Sequence, residues 1–323
     1  MSNTTLSQYL QQQTGKIPTE LAEVINAIAT CCNIIDYNLQ QGAIAGILGS
    51  AEHENVQGET QKNLDIFSNE QFINALQKHP HVGGFASEEL EEFLPAQENG
   101  EYLVLFDPLD GSSNIDINMC VGSIFSVLPA KNKITQAEDF MQPGTSQVAA
   151  GYVMYGPSTM LALTFGTGVI LFTYDIDLKD FVLTQENVTI PHTTQEFAIN
   201  SSNHRHWEKP VQRYISELLD GKTGVRGKDF NMRWIACMVG DIHRILSRGG
   251  IFMYPFDLKN TGKPGRLRLM YEANPMSMLI EQAGGDSTTG RERIMDIQPT
   301  GLHQRVPVIL GAKDEIELLK SYH

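Results

Sequence analysis

The fold is decided by the stretch Tyr102-Leu103-Val104-Leu105-Phe106-Asp107-Pro108-Leu109-Asp110-Gly111-Ser112-Ser113-Asn114. Its five opening apolar residues predict a strand buried in a covered sheet. Pro108 is expected to end that strand, because proline lacks an amide donor and fixes its own backbone angle. Asp107 and Asp110 flank the proline, and a small-residue turn follows. Oxygen ligands next to free amides indicate a metal-phosphate site. An Asx-type turn is the alternative, because all these residue types favour turns.

The composition indicates a large globular protein and limits the kinds of partner that it is expected to bind. The chain has 323 residues, 41% of them hydrophobic, which is enough for two domains or for two halves that share one core. Its 24 Lys+Arg and 38 Asp+Glu give a net charge of −14, which argues against nucleic acid as a partner. A phosphorylated substrate remains compatible with that charge if metal ions supply local positive charge.

Cysteine usage and the N-terminus favour a cytoplasmic protein. The four cysteines include no Cys-x-x-Cys pair and give no disulfide framework, as expected in a reducing cytosol. The opening residues lack a basic region followed by an apolar run, so we expect no signal peptide. No run approaches the roughly 20 apolar residues of a membrane span.

The first half predicts two amphipathic helices followed by short strands. One helix is expected from Pro18 to about Gly42, with apolar residues at i, i+3, i+4 and i+7 spacing. A second is expected over residues 68–78, with Ser68 as its N-cap. Strands are expected at residues 82–87, 124–128, 148–155, 160–164 and 168–175. Short strands in succession indicate an antiparallel sheet in the middle of the chain.

A polar stretch at residues 191–205 marks the expected boundary between two halves. Beyond it, helices at 210–219, 238–246 and 274–283 alternate with strands at 250–254 and 306–310. We therefore predict an α/β protein with an α+β half over residues 1–192 and an α/β half over residues 193–323.

Carboxylates stand at or near the ends of several predicted strands. The candidates are Glu59, Asp65, Glu88, Glu89, Asp107, Asp110 and Glu272. Strand ends on one sheet edge are where α/β proteins place ligand sites. Two carboxylates about 4 Å apart repel by roughly 4 kcal/mol at an effective dielectric near 20, and Lys and Arg are scarce around Asp107. A divalent metal would compensate this charge, and all-oxygen ligands favour Mg²⁺ or Mn²⁺ over zinc.

Such a site supports phosphate-ester hydrolysis. Divalent metals neutralise charge on phosphate oxygens and activate a water for in-line attack. A carboxylate that is not a ligand can orient and deprotonate that water. The amides of Gly111, Ser112 and Ser113 can hold the phosphate, but the residues alone do not specify which ester is cleaved.

Several motifs, in the same order along nearly the whole chain, resemble those of class I fructose-1,6-bisphosphatases. This family lies within the magnesium-dependent, lithium-sensitive sugar phosphatases. The motifs are Glu88-Glu89 and residues 106–116, 149–152, 238–244, 249–255, 267–272, 283–285 and 303–311. The resemblance implies a layered α-β-α-β-α sandwich and a homotetramer with two or three Mg²⁺ per subunit, Mn²⁺ being plausible. It also implies hydrolysis of the 1-phosphate of D-fructose 1,6-bisphosphate, a step of gluconeogenesis.

The resemblance assigns roles to the matching residues. The metals would be held by Glu88, Asp107, Asp110, Glu272, the carbonyl of Leu109, and Glu59, which stands where the family has Asp. Asp65 and Glu89 match the residues that activate the attacking water. The 1-phosphate would be bound by Asp110, Gly111, Ser112 and Ser113. The sugar and 6-phosphate would be bound by Asn200, Arg233, Trp234, Tyr254 and Arg266, with Arg233 reaching in from a neighbouring subunit.

The chain departs from the family pattern at the sugar end. Trp234 replaces a tyrosine, so a phenolic hydroxyl becomes an indole donor. Asn203 stands where tyrosine is frequent, and Arg266 replaces a lysine, which keeps the charge but changes the donor geometry. These changes bear on affinity rather than on substrate class.

The resemblance also implies an AMP-type inhibitory site in the first half, in degenerate form. Glu101 replaces a phosphate-binding lysine, Tyr102 is kept, and Pro129 lies near an expected arginine. An acidic residue facing a phosphate predicts weak or absent inhibition by AMP.

Two other functions remain alternatives. One is a sedoheptulose-1,7-bisphosphatase or an inositol phosphatase of the same superfamily. The other is a non-catalytic sensor of divalent ions or sugar phosphates, against which the full set of carboxylates argues.

Overall fold

The computed structural model describes residues 4–45, 50–54, 60–131, 133–134, 136–260, 262 and 264–323. Its α-helices are α1 (Leu6–Gln12), α2 (Thr19–Gln41), α3 (Asn63–Gln77), α4 (Lys209–Leu219), α5 (Met238–Arg248), α6 (Asn274–Gln282) and α7 (Lys313–Lys320). No helix within these ranges has the length and apolarity needed to cross a membrane.

The strands divide between the two halves of the chain. In the first half they are β1 (Ser50–Glu54), β2 (Thr60–Lys62), β3 (Val82–Ser87), β4 (Leu94–Pro95), β5 (Tyr102–Asp110), β6 (Val121–Pro129), β7 (Ala149–Tyr155), β8 (Thr159–Thr164), β9 (Val169–Asp175) and β10 (Asp180–Gln185). In the second half they are β11 (Glu196–Ile199), β12 (Asn231–Met232), β13 (Ile251–Tyr254), β14 (Leu267–Arg268), β15 (Asp286–Thr288), β16 (Arg305–Val306) and β17 (Val308–Gly311).

A large sheet occupies the first half of the protein. Its eight strands lie in the order β10-β9-β8-β7-β6-β5-β3-β4. Neighbouring strands are antiparallel except for β3 and β5, which run parallel. The predicted antiparallel sheet in the middle of the chain is therefore confirmed, although its two edge strands, β10 and β4, were not predicted.

A smaller sheet occupies the second half, with strand order β12-β11-β13-β17-β15. β11 runs parallel to β12 and β13, whereas β17 is antiparallel to both of its neighbours. The sequence analysis placed one strand at residues 306–310, but Pro307 separates two there, because β16 pairs with β14 and β17 with β13 and β15.

The two sheets and the helices form five layers. Helices α1, α2 and α3 cover one face of the large sheet, and α5 and α6 lie between the two sheets. Helices α4 and α7 cover the outer face of the small sheet. Alternate side chains of β5 enter different cores: Val104 and Phe106 face α3, whereas Leu103 and Leu105 face the central helices. The α-β-α-β-α sandwich is therefore confirmed.

Helix α3 begins five residues earlier than the sequence analysis predicted. The Asp65 carboxylate accepts the backbone N–H of Lys62 at 2.7 Å and satisfies a donor that the helix start would leave unpaired. Ser68, expected as the cap, is fully buried inside the helix. The prediction was wrong because a carboxylate in the first turn can replace a serine or threonine cap.

Pro108 does not end β5, contrary to the expectation from its chemistry. The strand continues to Asp110, and its register against β6 shifts between Asp107 and Asp110. The Ser123 hydroxyl donates to the Pro108 carbonyl at 2.7 Å within this irregularity. In a regular strand, residues three apart point to opposite faces. The irregularity breaks that alternation and allows both carboxylates to reach the same site.

Candidate active site

Three segments meet at one edge of the large sheet and carry its acidic side chains. Strands β3 and β5 are parallel neighbours, so Glu88 after β3 lies beside the end of β5. The Glu88 N–H donates to the Phe106 carbonyl at 3.1 Å, which fixes this placement. Glu272 comes from the second half of the chain, on a π-helical turn, Leu269–Ala273, that packs against β5 and β6.

Asp107, Asp110 and Glu272 lie together. Each offers a carboxylate oxygen, and these oxygens are all within 4.8 Å of one another. The three residues are buried. Buried carboxylates at this separation repel strongly unless protons or cations compensate them. An all-oxygen cluster of this kind has the donor chemistry of a Mg²⁺ or Mn²⁺ site.

Burial and mutual repulsion favour the protonated forms of these carboxyls. Burial is the largest cause in each case, and it raises the pKa of Asp107 well above its ordinary value, with Glu88, Asp110 and Glu272 adding to the rise. Burial also raises the pKa of Asp110 to about 6, although the Val239 N–H opposes it. It raises the pKa of Glu272 to about 8, and Arg268 opposes that rise.

The metal-free protein is expected to lose stability as the pH rises from about 4 to about 8. Unfolded carboxyls release their protons near pH 4, whereas the pKa of Glu272 in the fold is about 8. The folded state therefore binds more protons in this window, and stability falls with pH. A divalent cation competes with those protons, so Mg²⁺ should raise Tm more at pH 8 than at pH 5.5. Thermal unfolding with Mg²⁺ and with EDTA measures this difference, and an equal Mg²⁺ shift at both pH values would contradict it.

One buried cation already faces the cluster, which the sequence analysis missed when it described Lys and Arg as scarce there. Arg268 Nη2 lies 2.6 Å from Glu88 Oε1, and Nη1 lies 3.9 Å from Glu272 Oε2. The Arg268 backbone N–H also donates to Glu272 Oε2 at 2.5 Å. Its position four residues before Glu272, on the same turn, was the available signal. A single positive charge offsets only part of the negative charge of four carboxylates.

The N-terminus of α5 points at Asp110. Asp110 Oδ2 accepts the backbone N–H of Val239 at 2.8 Å and the thiol of Cys237 at 3.0 Å. The positive end of the helix dipole and these donors favour the ionised carboxylate. Neither residue was a candidate in the sequence analysis. On the same strand, the Leu109 N–H donates to Asp107 Oδ1 at 3.0 Å.

Asp65 belongs to α3 and lies outside the cleft lining, whereas Glu89 follows β3. Asp65 is buried at the first turn of α3, and burial raises its pKa to about 7, with the charges of Glu89 and Glu88 adding to the rise. A hydrogen bond from Ser112 opposes this rise. Glu89 lines the cleft directly. Asp65 therefore has a pKa suited to proton transfer near neutral pH.

The turn after β5 leads into a short 3₁₀ helix, Ser112–Ile117. Gly111 starts it in the left-handed region, with φ of 78°, and a Cβ there would lie 2.8 Å from Cys237 Cβ. Glycine is therefore required both by conformation and by the approach of α5. Gly111, Ser112 and Ser113 line the cleft beside the carboxylates.

Aromatic and basic side chains also line the same cleft. Trp234 stacks on Phe252 with an interplanar angle of 5° and meets Tyr254 edge-on, with ring centroids 5.4 Å apart. Arg266 lines the cleft beside Tyr254. A smaller adjoining cavity is lined by Arg266, Tyr254 and Asn203, together with Lys259. The positive charges of Arg266 and Lys259 attract anionic groups, and Asp257 in the same cavity offsets part of that attraction.

The remaining candidates lie elsewhere. Asn200 caps a short helix, Ser201–His206, where its Oδ1 accepts the Ser202 hydroxyl at 2.6 Å, and it is not part of the cleft lining. Arg233 is half exposed, with Nε 3.8 Å from Glu196 Oε1, and also lies outside that lining. Glu59 lies outside the described residues.

A layered α/β fold with buried carboxylates, a small-residue turn and an arginine in one cleft is the arrangement expected of a metal-dependent phosphatase. Comparisons with known proteins identify the family within this class. The family models for the N-terminal and C-terminal domains of fructose-1,6-bisphosphatase match residues 4–186 and 190–323. The chain belongs to the fructose-1,6-bisphosphatase family.

Individual relatives match over their full length. The chain is 72% identical to fructose-1,6-bisphosphatase class 1 of Acinetobacter baumannii (strain SDF) and 70% identical to that of Acinetobacter baylyi, covering 100% of both chains in each case. Among solved structures, Leishmania major fructose-1,6-bisphosphatase in holo form matches with a TM-score of 0.93 at 39% identity, covering 100% of this chain and 99% of the other.

Proposed function

We propose that this protein hydrolyses the 1-phosphate of D-fructose 1,6-bisphosphate to give fructose 6-phosphate and inorganic phosphate, as in gluconeogenesis. One observation carries the proposal: a single cleft is lined by the carboxylate cluster, by the Ser112-Ser113 turn and by Arg266. The carboxylate cluster with its turn suits a phosphate that is to be cleaved, and the Arg266 guanidinium suits a second phosphate that is to be held. Family membership supports the same substrate.

Mg²⁺ is the proposed cofactor, in two or three sites per subunit, with Mn²⁺ as a substitute. The residues that would hold it are Glu88, Asp107, Asp110, Glu272, the Leu109 carbonyl and Glu59. The fit rests on the buried, all-oxygen cluster whose negative charge Arg268 only partly offsets. When bound, the metal supplies positive charge for the phosphate oxygens and acidifies a water.

Asp65 and Glu89 are the proposed catalytic bases. Asp65 is held in place by the Lys62 N–H at 2.7 Å and by a hydrogen bond from Ser112, which ties it to the phosphate turn. A carboxylate fixed beside the phosphate can orient the attacking water and accept its proton. The leaving group is the sugar hydroxyl at carbon 1.

Binding of the substrate is assigned to two groups of residues. Asp110, Gly111, Ser112 and Ser113 would contact the 1-phosphate and its ester oxygen. Asn200, Arg233, Trp234, Tyr254 and Arg266 would contact the sugar and the 6-phosphate. Arg233 lies outside the lining of its own cleft and is half exposed, which agrees with a role in the cleft of a neighbouring subunit of a proposed homotetramer. We place the enzyme in the cytoplasm, and no nucleic acid or membrane enters the proposal.

Substrate preference tests the proposal against its alternative. Phosphate release with Mg²⁺ should be faster from fructose 1,6-bisphosphate than from sedoheptulose 1,7-bisphosphate or inositol monophosphate, compared as kcat/KM. A clear preference for inositol monophosphate would overturn the assignment, because that ester has no second phosphate for Arg266 to hold.

AMP is expected to inhibit weakly or not at all. Glu101 is half exposed, with Oε2 3.0 Å from His81 Nδ1, and Glu23 reaches the other nitrogen of the same imidazole at 3.2 Å. Tyr102 follows Glu101 in the chain and pairs with Pro129 of β6. A phosphate approaching Tyr102 would therefore meet two carboxylates.

Inhibition curves with AMP measure how strongly AMP inhibits the parent enzyme. Glu101→Lys is the matched variant. The exchange replaces a repulsive charge with an attractive one, so the variant should be more sensitive to AMP than the parent. Submillimolar, cooperative inhibition of the parent would contradict the expectation.

A further inference from the structure

The strand that carries the carboxylate cluster contains a β-bulge between its two ligand residues. The register of β5 against β6 shifts between Asp107 and Asp110, so that Pro108 and Leu109 both lie opposite Ser123. Two residues that face one across the ladder are the arrangement of a bulge. Asp107 and Asp110 both line the cleft. The bulge therefore decides where the two carboxylates lie relative to each other.

Pro108 is compatible with the bulge because it has no amide hydrogen to leave unpaired. A bulged residue loses its regular partner in the ladder, and in proline only the carbonyl then needs a new one. Pro108 is buried, and a buried carbonyl without a partner is costly. The hydroxyl of Ser123, which is fully buried, donates to that carbonyl at 2.7 Å. A side-chain hydrogen bond from β6 therefore holds the bulge.

The hydroxyl of Tyr155 supports this hydrogen bond from behind. It lies 2.9 Å from Ser123 Oγ, and both residues are buried. The serine hydroxyl has a single proton, which it donates to Pro108, so Tyr155 is the donor between the two hydroxyls. Burial raises the pKa of the phenol well above its ordinary value, so the phenol keeps the proton that it donates. Tyr155 thus fixes the rotation of the serine hydroxyl toward the bulge.

Tyr155 is held in place at the end of β7. Its backbone pairs with Val121 of β6 and with Thr159 of β8. The Thr159 hydroxyl donates to the buried Asp36 carboxylate at 2.6 Å, which connects this end of the sheet to α2. The two hydroxyls therefore connect the bulge to a well-anchored part of the sheet.

We propose that Ser123 and Tyr155 are positioning residues for the metal site, whose hydroxyls hold the bulge in the conformation that brings the Asp107 and Asp110 carboxylates together for a divalent cation. Neither hydroxyl belongs to the cleft lining, and both act through the Pro108 carbonyl. Mg²⁺ demands near-ideal octahedral geometry, so displaced ligands bind it more weakly. Groups that orient metal ligands typically contribute roughly ten- to a hundred-fold in affinity or activity. This inference rests on the proposed metal-dependent function.

A second serine on β6 provides the comparison with a purely structural role. Ser126 is also buried, and its hydroxyl donates to Gln147 Oε1 at 2.8 Å. It lies opposite Leu105, in the regular part of the ladder. Ser126→Ala therefore removes a comparable hydrogen bond from the same strand and leaves the bulge unchanged.

The test is titration calorimetry of the purified metal-free protein with Mg²⁺, together with thermal unfolding with and without the metal. Ser123→Ala should lower the Mg²⁺ affinity roughly tenfold and reduce the rise in Tm that Mg²⁺ produces. Tyr155→Phe keeps the ring and the serine hydroxyl, so it should shift both quantities in the same direction by less. Ser126→Ala should lower the Tm of the metal-free protein and leave the Mg²⁺ affinity unchanged.

Phosphate release gives a second readout. For Ser123→Ala, the Mg²⁺ concentration at half-maximal rate should rise by the same factor as the dissociation constant. The KM for the sugar bisphosphate at saturating Mg²⁺ should change little, because the bulge acts on the metal ligands and not on Arg266.

The outcomes separate this proposal from the proposed function. Parental Mg²⁺ affinity in Ser123→Ala would overturn the positioning role, and so would an equal loss of affinity in Ser126→Ala. If Ser123→Ala does not fold, Tyr155→Phe decides, and unchanged Mg²⁺ affinity in that variant would overturn the role. A parent that binds Mg²⁺ in the calorimeter but releases no phosphate from any of the sugar phosphates would instead contradict the phosphatase assignment.

Discussion

Asp65→Asn is expected to lower kcat by about a thousand-fold, within the range that a positioned general base contributes. The amide keeps the volume of the side chain, and its oxygen can still accept the Lys62 N–H that now lies 2.7 Å from the carboxylate. The start of α3 should therefore be preserved. What is lost is an acceptor for the proton of the attacking water. Steady-state kinetics with fructose 1,6-bisphosphate measure the effect.

Two further readouts distinguish a catalytic Asp65 from a structural one. Because burial raises the pKa of Asp65 to about 7, the parent should lose kcat below neutral pH, and the variant should lack that dependence. KM and the Mg²⁺ concentration for half-saturation should change little. Glu70→Gln, at an exposed carboxylate on the same helix, is the control. A variant Asp65→Asn with near-parental kcat would remove Asp65 from the mechanism.

Asp107→Asn is expected to weaken Mg²⁺ binding and, with it, to remove most activity. An ion pair at about 4 Å and an effective dielectric near 20 contributes about 4 kcal/mol, which corresponds to a loss of roughly a hundred- to a thousand-fold in metal affinity. The asparagine oxygen can still accept the Leu109 N–H, which lies 3.0 Å from Asp107 Oδ1. Titration calorimetry with Mg²⁺ measures the affinity directly.

The same substitution should raise the stability of the metal-free protein, which is the opposite of its effect on activity. It removes one of the buried carboxylates that repel each other, so the EDTA-treated variant should unfold at a higher Tm than the parent at pH 8. Glu92→Gln, at an exposed carboxylate, should change neither property. A variant that loses activity and stability together, with unchanged Mg²⁺ affinity, would indicate a structural role for Asp107.

The placement of the first half of the site could be predicted from the sequence. Apolar runs that end in Glu88 and in Asp107-Asp110 indicated strand ends, and parallel pairing of β3 and β5 brings such ends to one edge. The layered fold and the substrate came from family resemblance, because periodicity alone cannot decide how two sheets stack. Glu272 likewise has no local signal that connects it to a strand end in the other half.

Other features depend on contacts that local sequence rules do not describe. Pro108 was expected to stop β5, but a register shift and the Ser123 hydroxyl accommodate it. The contact of Arg268 with Glu88 was missed because the two residues are far apart in sequence, and its i,i+4 spacing to Glu272 was the local signal that was overlooked. Helix α7 was not predicted either, since its apolar face is short and packs on β17 only in the folded protein. In each case a tertiary contact outweighs a local preference.

Phosphate release from fructose 1,6-bisphosphate, with Mg²⁺ and after its removal by EDTA, tests the central claim most directly. We expect one phosphate released per substrate, fructose 6-phosphate as the other product, no turnover in EDTA, and recovery when Mg²⁺ is restored. Turnover that is unaffected by EDTA would contradict the assignment of the Asp107, Asp110 and Glu272 cluster as a catalytic metal site. Absence of turnover with Mg²⁺ and Mn²⁺ present would contradict the proposed function.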